Sequence, residues 1–67
     1  MINIWEYANS LPRIKLRAND DQVFVGKTIM VWDAEETDDD EDSITIEMDD
    51  GVIRTFYPSE IAEIEVL

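Results

Sequence analysis

Cysteine and histidine are both absent from this chain of 67 residues, and glycine and proline occur only twice each. Without cysteine the chain can form neither a disulfide nor a thiolate metal site. Without histidine or cysteine it also lacks the usual acid–base group near neutral pH and the usual strong nucleophile. The composition therefore predicts a protein that is not an enzyme and that has neither a cofactor nor metal ligands.

The remaining residue types that could support catalysis are poorly placed. None of the three serines has an evident base beside it in the sequence; they are Ser10, Ser43 and Ser59. The carboxylate pairs Asp20-Asp21 and Asp49-Asp50 fall in segments whose composition is typical of turns, where we expect them to be hydrated and poorly suited to acid–base catalysis.

Basic residues are scarce, with 5 lysines and arginines against 17 acidic residues and a net charge of −12. A surplus of this size repels nucleic acid phosphates and favours basic partners. No apolar run approaches the roughly 20 residues that span a bilayer, and residues 1–6 carry no basic leader. We expect one domain over residues 1–67 in a soluble cytoplasmic protein.

The first twelve residues predict a short N-terminal helix, 1–12. Apolar side chains recur at helical spacing on one face: Met1, Ile4, Trp5, Ala8 and Leu11. Asn3 is a candidate N-cap, and Glu6 could complete a capping box with it. Pro12 ends the predicted helix because proline lacks the amide hydrogen that a further turn requires.

From residue 13 the apolar period changes to two, which predicts five antiparallel strands over residues 13–67. The predicted strands are 13–17, 22–33, 43–49, 52–57 and 61–67. Gly26, inside the long second strand, indicates a bulge or a sharp bend. Asp50-Gly51 predicts a tight hairpin turn. A strand that bends in this way could serve two sides of a small barrel.

Eight of the ten residues in the acidic loop 33–42 are aspartate or glutamate. Three interpretations are open: a solvated loop that discourages strand aggregation, a docking surface for a basic protein (DNA mimicry included), or a weak cation site. An EF-hand is excluded because Ser43 stands where that loop needs glycine. The candidate partner-binding residues are Asp38, Asp39, Asp40, Glu41 and Asp42, together with Tyr57 beside Pro58.

Three of the five cations alternate along the first strand, namely Arg13, Lys15 and Arg17. They could form a track for RNA. They could equally pair with acidic residues on neighbouring strands such as Glu47, Glu63 or Glu65. The strong negative charge of the chain favours the second interpretation. Core packing is expected for most of the aromatic residues, with Tyr57 as the exposed exception.

The predicted strands contain Ile14-Lys15-Leu16, Val23-Phe24-Val25-Gly26 followed by Ile29, and Trp32-Asp33, with 58–64 as the turn into the last strand. This pattern resembles the Sm-like (Lsm/Hfq-type) small β-barrel family, and SH3-like barrels fit nearly as well. The resemblance implies a bent five-stranded barrel and a ring or dimer. The asparagine and the basic-glycine motif with which such proteins bind RNA are both missing here.

The sequence thus predicts a mainly β fold, with a short helix followed by a strongly bent antiparallel small barrel. The stretch 29–32 is apolar on both faces, so either the helix or another subunit should cover one of them. We therefore expect a homo-oligomer. The expected function is a non-enzymatic interaction module that docks a basic partner. The alternatives are a nucleic-acid-associated Sm-like oligomer and a purely structural assembly protein.

Overall fold

The computed structural model describes residues 2–67, which form one antiparallel sheet of five strands. Two short 3-10 helices and one short α-helix are the other regular elements of these described residues. The strands are β1 (Arg13–Ala18), β2 (Val23–Trp32), β3 (Ser43–Met48), β4 (Ile53–Phe56) and β5 (Ile61–Val66). The 3-10 helices are Ile4–Tyr7 and Pro58–Glu60, and the α-helix is α1 (Ala34–Thr37).

The strands lie in the order β4-β3-β2-β1-β5, which is compatible with a small β-barrel-like fold. The predicted closure into a barrel is wrong, because β4 and β5 are the two edges of the sheet and do not pair within residues 2–67. The segment that connects β4 to β5 forms hydrogen bonds with other parts of the chain. The Ser59 amide donates to the Glu41 carboxylate, and the Asn19 side chain donates to the Ser59 carbonyl.

The core lies on the face of the sheet that the period of two predicts. Ile14 and Leu16 of β1 and Ile44 and Ile46 of β3 are all fully buried, as expected. The other buried apolar residues are Ile4, Val31, Phe56 and Ile61. The alternation of side chains along a strand is therefore enough to locate most of the core.

Gly26 does not form a bulge, one of the two features that the sequence allows there. It pairs in regular register with Ile14 on β1 and Met48 on β3, and the irregularity in β2 lies between Thr28 and Met30. The glycine is required for another reason. A Cβ atom at this position would lie 2.5 Å from the Glu47 carbonyl oxygen, so the two strands approach more closely than a side chain permits.

The N-terminal helix is much shorter than predicted, a single 3-10 turn from Ile4 to Tyr7. Asn3 does cap it, accepting a hydrogen bond from the Trp5 amide. Leu11 adopts φ 46°, which ends any helical path before Pro12, and a helix of so few residues is marginal without tertiary support. Met1, part of the predicted helix, lies outside the described residues. Within residues 2–67 no helix has the length and apolar character that crossing a membrane requires.

Thr28 is completely buried, and its hydroxyl has no hydrogen-bond partner within residues 2–67. We expect Thr28→Val to raise the free energy of unfolding by about 1 kcal/mol, because it removes an unpaired polar group and keeps the branched shape. Urea denaturation measures the change. Thr28→Ser, which keeps the hydroxyl and deletes the methyl group, should lower stability, and a loss in both variants would contradict this explanation.

Candidate functional site

The acidic loop 33–42 begins with a short helix. Asp33 caps α1, since its Oδ1 accepts a hydrogen bond of 2.8 Å from the Glu35 amide. The helix ends at Asp38, which adopts φ 58°, a left-handed conformation that aspartate tolerates better than most residues. The first half of the loop therefore has regular structure, which the run of charges alone does not suggest.

Asp42 ties the end of the loop to two other segments. Its Oδ1 accepts a hydrogen bond of 2.8 Å from the Ala34 amide, and its Oδ2 accepts one of 2.7 Å from Trp5 Nε1. Both donors favour the ionised carboxylate, with Trp5 the stronger influence, so the pKa of Asp42 lies below its usual value. Asp42 thereby joins α1 to the N-terminal segment.

Two further carboxylates of the loop contact the connection between β4 and β5. Glu41 accepts hydrogen bonds from the Ser59 amide at 3.1 Å and from the Ser59 hydroxyl at 2.7 Å. Asp39 accepts one of 3.3 Å from the Tyr57 hydroxyl. The negative charge of Asp39 is the main reason that the pKa of Tyr57 is raised. The second half of the loop is therefore held by neutral donors.

No cation within residues 2–67 pairs with a carboxylate of the acidic loop. The two ion pairs of the described chain lie elsewhere, between Arg13 and Asp49 and between Arg17 and Asp21. Because amides, hydroxyls and an indole hold the loop instead, its carboxylates are positioned without loss of their charge. This part of the surface is held by hydrogen bonds and is strongly negative.

The structure divides the predicted partner-binding residues into two groups. Asp39, Asp40, Glu41 and Tyr57 line one shallow pocket, and Tyr57 is half-buried rather than fully exposed. The second group is Asp38, at the end of α1, and Asp42, which contacts the N-terminal segment and lines a neighbouring groove together with Asp40 and Glu41.

An open groove of about 420 Å³ runs between the acidic loop and the N-terminal segment. The residues that line it include Ile2, Trp5 and Pro58 and the carboxylates from Asp40 to Asp42. Its lining is therefore partly apolar and partly acidic. The indole of Trp5, which is 43% exposed, is fixed in orientation by its hydrogen bond to Asp42.

Trp5 and Trp32 are both more exposed than the sequence predicts. Core packing was expected, but of the six aromatic side chains only Phe56 is buried, with Phe24 packed against it at 5.0 Å between ring centroids. The N-terminal segment buries Ile4 and does not cover the outer residues of β2, since Met30 and Trp32 stay exposed. No periodic signal in the sequence indicates the groove, because Trp5 and Pro58 come from opposite ends of the chain.

The predicted basic track on β1 is surrounded by acidic residues. Arg13 makes two hydrogen bonds to Asp49, of 2.8 and 2.7 Å, which hold the pKa of Asp49 below its usual value. On the β5 side, Lys15 lies opposite Glu65 and Arg17 lies opposite Glu63. Within residues 2–67 neither Lys15 nor Arg17 forms an ion pair with the glutamate opposite it, and Arg17 pairs with Asp21 instead. The cross-strand pairing with Glu47, Glu63 or Glu65 therefore stays a prediction, but the nearby acidic residues do not favour an RNA backbone.

No group of three or more acidic side chains within residues 2–67 is arranged to hold a metal ion. Comparison of the chain with protein-family models, with curated proteins and with solved structures finds no significant match. The resemblance to Sm-like and SH3-like barrels therefore rests on strand layout alone and stays a prediction.

Proposed function

We propose that this protein is a non-enzymatic interaction module that docks a positively charged partner protein on its acidic loop. One observation carries the proposal: neutral hydrogen-bond donors hold the loop in place, and no cation of the described chain pairs with its carboxylates. Like charges held close together repel one another. A partner that brings lysine or arginine side chains relieves this repulsion and meets a surface that is already ordered.

Four carboxylates of the loop make no side-chain hydrogen bond or ion pair within residues 2–67, so they can be changed with the least damage to the fold. They are Glu35, Glu36, Asp38 and Asp40. These side chains are exposed, and we assign them the direct contacts with the partner. Asp39, Glu41 and Asp42 keep the loop in shape and add to its negative potential.

Neutralising these four residues tests the proposal, with a fluorescein-labelled oligolysine peptide as the probe. The loop variant carries Glu35→Gln, Glu36→Gln, Asp38→Asn and Asp40→Asn. At about 0.1 M salt, where screening beyond about 10 Å is substantial, we expect it to bind the peptide at least about tenfold more weakly than the unmodified chain. Fluorescence anisotropy measures the affinity.

A matched control removes the same amount of charge from other surfaces of the sheet and the N-terminal turn. It carries Glu6→Gln, Glu47→Gln, Glu63→Gln and Glu65→Gln. We expect this control to weaken binding much less than the loop variant. Equal losses in the two variants would mean that the peptide responds only to net charge, and the absence of binding to the unmodified chain would overturn the proposal outright.

A nucleic-acid role gains no support from the surroundings of Arg13, Lys15 and Arg17, and we do not propose it. The homo-oligomer and the Sm-like or SH3-like assignment remain predictions from the sequence. The open edges of β4 and β5 and the exposed side chains of Met30 and Trp32 are compatible with association between copies. Light scattering coupled to size exclusion would determine the mass in solution.

A further inference from the structure

We infer that the groove between the N-terminal segment and the acidic loop binds a peptide segment in which an apolar side chain is flanked by lysine or arginine. This inference rests on the proposed function and specifies the partner. It follows from the mixed lining of the groove, in which apolar side chains lie beside the carboxylates from Asp40 to Asp42.

The apolar part of the lining includes Ile2, Trp5 and Pro58. Pro58 is buried and Ile2 packs against the core, so neighbouring residues hold both side chains in place. Trp5 presents an exposed indole whose Nε1 is already bonded to Asp42. Because that polar atom has a partner, an apolar side chain can cover the ring without leaving a donor unpaired.

The carboxylates of the lining determine which residues can flank that apolar side chain in the bound segment. Asp40, Glu41 and Asp42 have no cationic partner within the described residues, so an acidic segment would be repelled. A second copy of the chain, with a net charge of −12, is a poor occupant for the same reason. Charge complementarity therefore favours a basic segment, and a cation beside the apolar residue could also lie over the ring of Trp5.

Two synthetic peptides of equal charge test the inference. Both are oligolysines, one with leucine and the other with serine at the central position. We expect the leucine peptide to bind the full chain about tenfold more tightly, because its side chain is buried against Trp5 and Ile2. In a Trp32→Phe background, leucine-peptide binding should also shift the fluorescence emission of Trp5, and the serine peptide should shift it less.

A substitution that fills the groove provides a second test of the inference. Ala34 lines the groove, and Ala34→Leu should abolish the preference for leucine while weak binding of both peptides persists. Ala62→Leu, the same change at an exposed position of β5, should leave the preference unchanged. Thermal melts of both variants exclude unfolding as the cause.

The outcomes separate this inference from the proposed function. If both peptides bind equally and the loop variant weakens both, the acidic surface docks cations but the groove takes no apolar side chain, and the inference is wrong. If neither peptide binds, both proposals fail. If the leucine preference survives in Ala34→Leu, the apolar contact lies elsewhere and the inference is again overturned.

Discussion

Replacing Gly26 by alanine should lower the free energy of unfolding by about 3 kcal/mol, the upper part of the usual range for overpacking. The added Cβ would lie 2.5 Å from the Glu47 carbonyl oxygen and 2.9 Å from its carbonyl carbon. Both are backbone atoms of β3, so no side-chain rotation can relieve the contact. A domain of this size has a total stability of roughly 3–10 kcal/mol, so the loss is a large share of it and the variant should unfold at a clearly lower urea concentration than the unmodified chain.

Gly51→Ala is the matched control, because it adds the same methyl group where space is open. Gly51 adopts φ 86° in the turn between β3 and β4, and no atom lies within 4 Å of a Cβ built there. Alanine at this position should cost only about 1 kcal/mol, from its unfavourable backbone conformation. Urea unfolding followed by circular dichroism compares the two. Equal midpoints would show that the close approach of β2 and β3 is not what requires Gly26.

Replacing Ile4 by alanine should lower the free energy of unfolding by about 2–4 kcal/mol. It should also weaken the binding of a peptide in the groove. Ile4 is 2% exposed and packs in the core, although it belongs to a turn of only four residues. Such a turn cannot persist by itself. Burial of Ile4, together with the hydrogen bond from Trp5 to Asp42, therefore keeps Trp5 and Ile2 beside the acidic loop.

Val66→Ala is the control for this prediction, because it shortens an aliphatic side chain at a position of β5 that is 55% exposed. It should change stability by less than about 0.5 kcal/mol. Urea denaturation measures the stability of both variants. Fluorescence anisotropy measures the affinity of the groove for the leucine-centred oligolysine peptide. If Ile4→Ala cost no more than Val66→Ala, the N-terminal segment would not be held by its core contact.

The positions of the strands could be read from the sequence with little error. Each of the five predicted strands agrees with the structure to within one residue at either end. The reason is local: alternation of apolar and polar side chains with a period of two is a property of each segment, and turn residues such as Asp50 and Gly51 mark the ends. The core residues Ile14, Leu16, Ile44 and Ile46 follow from the same alternation.

The N-terminal segment was predicted less well. The spacing of Ile4, Trp5, Ala8 and Leu11 suits a helix, but Leu11 turns to a positive φ, and the amide of Thr28 donates to the Pro12 carbonyl as the chain enters the sheet. Tertiary contacts therefore override the helical pattern. The irregularity of β2 was likewise placed at Gly26, whereas the close approach to β3 and not a bulge requires the glycine there.

The acidic loop shows most clearly where local information ends. Its charge, its position between β2 and β3 and its lack of nearby cations in the sequence were all determined by the sequence itself. Its shape was decided by donors far away along the chain: Trp5 lies 37 residues from Asp42, and Ser59 lies 18 residues from Glu41. Only the packing of the sheet brings these groups together. The same packing assembles the apolar and acidic residues that line the groove.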